Sequence, residues 1–172
     1  MLYYLVSLLA ACSLCLAASD LTEGLQASNV SGATGAPTFD DFASIPENPM
    51  LSKLTFLGND TLNGLSMTLV SGQNFTHFGS GGTPTDLQLN QGEYIISVTL
   101  CWGEKDGATR ILYAEAGTDL AQTVATGNKT ENCQKIPAPK NYGIVGAYGQ
   151  VEKDIRQLGF YFARARESDP VN

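Results

Sequence analysis

The chain is poor in the groups on which most enzyme and metal chemistry rests: its 172 residues hold one histidine, one tryptophan and four cysteines. Two of the cysteines, Cys12 and Cys15, fall in an uncharged N-terminal run, which leaves Cys101 and Cys133 for the rest. A structural zinc site takes four Cys or His ligands, so no metal is expected, and no cofactor motif is found either. Lysine and arginine are sparse and scattered, ten basic against 17 acidic residues, for a formal charge of −7. Such a surface repels phosphate backbones and anionic headgroups, so nucleic acid and acidic glycosaminoglycans are poor partners. Arg164 and Arg166 are the one local basic group and read as a solvated tail. Beyond the N-terminal run no stretch is apolar enough to cross a bilayer, and no amphipathic helix is legible.

Residues 1–18, MLYYLVSLLAACSLCLAA, carry no charged side chain and end in small residues. They read as a secretory signal peptide cleaved after Ala17 or Ala18. A membrane anchor is the competing reading, but the run is at the short edge of a span and no basic flank follows it. Residues 19–26 then form a flexible lead-in, 27–166 one domain and 167–172 a C-terminal tail. The length after cleavage suits a single core. In an oxidising compartment Cys101 and Cys133 read as one disulfide. Four sequons begin at Asn29, Asn59, Asn74 and Asn128 in polar, turn-like stretches, where glycans would face water. A secreted, soluble glycoprotein is expected.

Period-two runs predict strands at 54–57, 62–70, 85–89, 93–102, 108–115, 143–149 and 155–163, separated by turns rich in Gly, Asn and Asp. In the run 93–102, Tyr94, Ile96, Val98, Leu100 and Trp102 share one face; Ile95, Ser97, Thr99 and Cys101 share the other. The disulfide is therefore expected to pin an edge or rim. Leu158, Phe160 and Phe162 are expected core anchors. Many short strands with glycine turns mean a sandwich, barrel or prism.

Several segments, in order, resemble the jacalin-related lectin family. GATGAPTFDD (32–41) is similar to its opening glycine turn and acidic motif, and 51–82 to the two strands that lead to a glycine-rich loop. GEYIISV (92–98) is close to its GEYI stretch, and GIVGAYG with DIRQLGFYF to its final hairpin. The resemblance implies an all-β fold, the β-prism I of three four-stranded Greek-key sheets. It also implies sugar binding at one end, between the first glycine turn and a Gly-x-x-x-Asp motif in the last loop.

On that alignment the expected carbohydrate-binding residues are Gly35 and Ala36 in the first loop, with Glu152, Lys153, Asp154 and Arg156 in the last. The hallmark pair is missing: Glu152 stands at the family's glycine and Arg156 at its aspartate. Arg156 replaces an acceptor by a donor-only guanidinium. Either the site is rebuilt around Glu152 and Asp154, or sugar binding is lost at this loop. Ala36 adds only a methyl to a glycine position and is tolerable if its φ is negative.

Other residues have plainer readings. Asp40 and Asp41 are adjacent on an extended segment and point apart, whereas glycoside hydrolysis needs two carboxyls facing one bond; turn capping is expected. His77 lacks a nearby nucleophile motif and reads as a hydrogen-bonded loop histidine. Gly79–Gly82 reads as a flexible turn near the sugar, and Trp102 as a core or rim side chain. A secreted lectin for neutral glycans or glycoproteins is the first reading, and because single sites bind weakly a homodimer is expected. The alternative is a lectin fold that has lost sugar binding and serves as an extracellular protein-interaction module. An extracellular hydrolase is the third and weakest, and no enzymatic activity is expected.

Overall fold

The computed structural model of the protein describes residues 24–165. The expected signal peptide with Cys12 and Cys15, most of the lead-in and the tail lie outside the described residues. The chain forms β1 (Gln26–Ala27), β2 (Ser31–Gly32), β3 (Thr38–Asp40), a short 3-10 turn (Phe42–Ser44), β4 (Leu51–Gly58), β5 (Leu62–Leu69) and β6 (Asn74–Phe78). It continues with β7 (Thr83–Gln88), β8 (Ile95–Lys105), β9 (Ala108–Thr118), β10 (Thr123–Gly127), β11 (Cys133–Pro137), β12 (Tyr142–Val151) and β13 (Ile155–Arg164).

These strands make three antiparallel sheets. Two run in the order β6-β5-β4-β7 and β10-β9-β8-β11. In each, the fourth strand in sequence returns to lie beside the first, which is the Greek key. The third runs β1-β13-β12-β3, with β2 also pairing β13, so its outer strand comes in two pieces. The arrangement is the expected β-prism, and one apolar cluster fills it. Phe56, Leu65, Met67, Leu100, Ile111, Ile155, Leu158 and Phe160 are fully buried, with Phe162 beside them at 2% exposure.

Each sheet contributes a long central hairpin, β4–β5, β8–β9 or β12–β13, flanked by shorter strands. The long strands carry three or more inward apolar side chains each, and their period is what the sequence displays. Edge strands β6, β10 and β11 turn only one or two residues inward: Phe75, then Val124 and Thr126, then Ile136. None of these was expected from the sequence.

Two expectations are corrected. Ile95 is buried and Ile96 is 39% exposed, because a bulge between Ile95 and Ser97 shifts the register. An extra residue in one strand reverses the faces on either side of it, so Ile95 joins Val98 and Leu100 in the core. His77 sits within strand β6, not in a loop. Its Nε2 lies 2.8 Å from Asp41 Oδ1, its ring stacks on Phe39, and the other Asp41 oxygen accepts the Ala147 amide. Asp41 is 4% exposed, so this pair fastens one sheet to another. Asp40 accepts the Phe42 amide at the start of the 3-10 turn and also the Tyr161 hydroxyl. Trp102 is half-buried against the core, within the expected range.

Cys101 and Cys133 are bonded across paired positions of β8 and β11. β11 is the edge of its sheet, so the disulfide pins an edge strand, as expected. At the end of the prism that carries the β9–β10 turn, Glu93 is 3% exposed. Its carboxylate accepts from Thr118 Oγ1, Gln122 Nε2 and both the amide and side-chain nitrogen of Asn90. Burial pushes its pKa up, but these hydrogen bonds outweigh burial and hold it below the ordinary glutamate range.

Candidate functional site

At the other end of the prism three loops meet: 32–37 between β2 and β3, 79–82 between β6 and β7, and 152–154 between β12 and β13. The first and third are stitched by backbone, Ala33 donating to the Arg156 carbonyl at 3.0 Å and Val151 to that of Pro37 at 3.0 Å. The second joins them where the Ser80 amide donates to the Lys153 carbonyl at 2.8 Å. Such close approach requires glycine at two points. A Cβ on Gly32, whose φ is +95°, would overlap the Arg156 carbonyl, and one on Gly79 would overlap the Lys153 carbonyl.

Five of the six expected binding residues lie on two of these adjoining loops and Arg156 stands at the start of β13, but their polar groups are not equally available. The amides of Gly35 and Ala36 both donate to Gln150 Oε1, at 2.7 and 2.9 Å. Gly35 takes a φ of +126° whereas Ala36 is not among the positive-φ residues, so its methyl is unstrained. Glu152 and Arg156 pair with each other, Oε2 to Nη2 at 2.7 Å, the glutamate side chain half exposed and the arginine mostly covered. Arg156 also lies against the first loop: a Cβ on Gly35 would stand 3.3 Å from its Nη1. Its Nε is buried without a hydrogen-bond partner among the described residues.

Asp154 faces the protein interior. Its Oδ2 is 2.5 Å from Arg110 Nη1, and its Oδ1 accepts from Asn63 Nδ2 at 2.7 Å and Thr61 Oγ1 at 3.1 Å. Arg110 is itself held by donating Nε to the Lys105 carbonyl at 2.9 Å. Both carboxylate oxygens of Asp154 are thus engaged within the protein. The amides of Lys153 and Asp154 have no acceptor among the described residues, and Glu152 and Lys153 are exposed. The last loop thus carries two adjacent amides without an acceptor among the described residues, together with an exposed glutamate and an exposed lysine.

Sequence reasoning missed Gln150, Arg110, Thr61 and Asn63, and reached Ser80 only as part of the Gly79–Gly82 turn. Thr61 was noticed only as the third residue of the Asn59 sequon. Arg110, as a charged residue inside an apolar run (ATRILY), carried a signal that it needs a buried partner. Nothing in sequence named Asp154, 44 residues away.

The arrangement can accept and donate hydrogen bonds at fixed spacing to a ligand with paired hydroxyls. Among the described residues there is no group of three or more His, Cys, Asp or Glu that could hold a metal ion. No helix there is long and apolar enough to cross a membrane.

A family model described as "Jacalin-like lectin domain" matches residues 28–161. Solved structures share the fold. A mannose-binding jacalin-related lectin from Ananas comosus superposes with a TM-score of 0.70 at 20% identity, covering 82% of this chain and 99% of its own. A mannose-specific jacalin-related lectin from Morus nigra, in complex with mannose, gives 0.70 at 20% identity over 83% and 96%. Malaysian banana lectin gives 0.69 at 21% identity over 82% and 99%. A comparison with curated protein sequences gives no match.

Proposed function

This chain belongs to the jacalin-like lectin domain family, and from that premise we propose that it is an exported carbohydrate-binding protein whose three-loop end recognises neutral glycans. One observation supports the reading: loops 32–37, 79–82 and 152–154 are stitched together, and the Lys153 and Asp154 amides, which follow the exposed Glu152 in the chain, have no acceptor among the described residues. A pyranose hydroxyl both donates and accepts, and a carboxylate with adjacent amides meets both needs. The rebuilt site uses Glu152 as its side-chain acceptor, because Asp154 is committed to Arg110. Neutral ligands are favoured by the chain's net charge of −7 and by the mutual neutralisation of Glu152 and Arg156. The mannose named for the Ananas and Morus lectins is the first sugar to try.

Binding without catalysis is supported by the fate of the acidic pair: Asp40 and Asp41 are consumed by backbone amides, Tyr161 and His77. Export is supported by the uncharged leader, by the disulfide and by the exposure of all four sequon asparagines, Asn29, Asn59, Asn74 and Asn128. Asn74 opens strand β6, outside the turns, yet still faces water. Because one shallow site binds weakly, the protein works as a homodimer or on clustered glycans.

A glycan array probed with protein recovered from culture medium tests this. Capture of neutral glycans that weakens in Glu152→Ala supports it. Absence of capture, with a specific protein partner recovered instead, would replace it by the protein-interaction module.

A further inference from the structure

We propose that Arg110, acting through Asp154, is the positioning residue of the recognition loops. The proposal rests on the carbohydrate reading of this end for its consequence, though its geometry stands alone. Asp154 belongs to the β12–β13 turn, Arg110 to β9, and Thr61 and Asn63 to the start of β5 and the residue before it. The single carboxylate therefore gathers donors from both other sheets at the point where their central hairpins end. Arg110 is 6% exposed and Thr61 4%, so the charge pair is shielded from water, where electrostatic attraction is strong and loss of one partner is costly.

The pair also sets which groups the loops show to a ligand. With the Asp154 side chain drawn inward, the Lys153 and Asp154 amides, which have no acceptor among the described residues, are the donors left to a ligand. Asn63 uses its other N–H on the Ser80 carbonyl at 3.0 Å, and Ser80 in turn donates to Lys153. One network thus holds two of the three loops in register. A site whose donors are backbone amides depends on loop order more than one built from side chains.

Two roles are separable. If the pair only satisfies a buried charge, removing both charges while keeping an acceptor for Asn63 and Thr61 at residue 154 restores everything, because a buried ion pair removed as a whole is often no loss. If Arg110 positions the loops, the double variant regains stability but not loop order. The experiment compares the full chain with Arg110→Met, Asp154→Asn and the Arg110→Met/Asp154→Asn double variant, in which the amide oxygen still accepts from Asn63 and Thr61. Readouts are thermal melting, amide hydrogen exchange, and capture on an array of mannose-, glucose- and galactose-terminated oligosaccharides.

The double variant is expected to melt near wild type, while amides in 79–82 and 151–156 exchange about tenfold faster or more and the far-end turn 69–73 is unchanged. Array capture falls about tenfold in parallel. Wild-type exchange in those two segments of the double variant overturns the proposal, as does a rise shared equally by 69–73. If wild type captures none of the probes, the carbohydrate reading fails, while the exchange comparison still decides the role of Arg110.

Discussion

The side-chain oxygen of Gln150 lies 2.7 Å from the Gly35 amide and 2.9 Å from the Ala36 amide, so one residue of the penultimate strand closes the first loop. Those two amides were expected to meet a sugar directly. In the structure they are spent on the scaffold, and the open donors belong to Lys153 and Asp154 instead. The first loop is therefore braced against β12, and under the proposed function recognition falls to the last loop.

Replacing Gln150 by alanine removes both bonds and is expected to cost about 1–2 kcal/mol, since each ordinary hydrogen bond contributes about 0.5–1.5. Chemical denaturation measures the loss, and hydrogen exchange at Gly35 and Ala36 should accelerate with it. Unchanged protection at both amides contradicts the bracing role.

Arg156→Asp puts an acceptor where the family carries its aspartate and breaks the ion pair with Glu152. A charge-assisted hydrogen bond contributes roughly 1.5–3 kcal/mol, so mannose or galactose capture is expected to rise about tenfold or more. An unchanged array contradicts the reading of Arg156 as the residue that reshaped this position. Capture created from nothing means that the natural protein lost its site there.

The disulfide joins residues 32 apart in sequence. Loop-closure entropy gives about 3–4 kcal/mol for such a link, so a Cys101→Ser/Cys133→Ser variant is expected to lose that much in denaturant titrations. Exchange should quicken first along β11, the edge that the bond pins. A loss below about 1 kcal/mol contradicts the entropic account.

Much of this frame is legible from residues alone. The alternation of Leu158, Phe160 and Phe162 gives the last core strand, and the turn glycines give the hairpins. What escapes is short or distant. Edge strands β6, β10 and β11 have too few inward residues to show a period. The bulge at Ile96 reverses a face without changing composition. The six candidate site residues come from the family resemblance, and sequence cannot tell that Asp154 points inward, because its partner Arg110 lies on another sheet.

Acid should weaken the fold partly through Glu93, whose folded pKa is depressed by the hydrogen bonds it accepts. The unfolded state binds the proton more tightly, so this contribution is complete above the ordinary glutamate value of about 4.3. It is lost as pH falls through the lower folded value. Glu93→Gln is expected to be less stable at neutral pH and to show a flatter decline in stability below about pH 5. Parallel pH profiles for the two proteins contradict the assignment.

Amide chemical-shift mapping during titration with mannose- and galactose-terminated oligosaccharides tests the carbohydrate site most directly. Saturable shifts confined to Lys153, Asp154 and their neighbours in loops 32–37 and 79–82 are the expected result. Titration without shifts, or shifts centred on the opposite end around Val70 and Leu120, contradicts it.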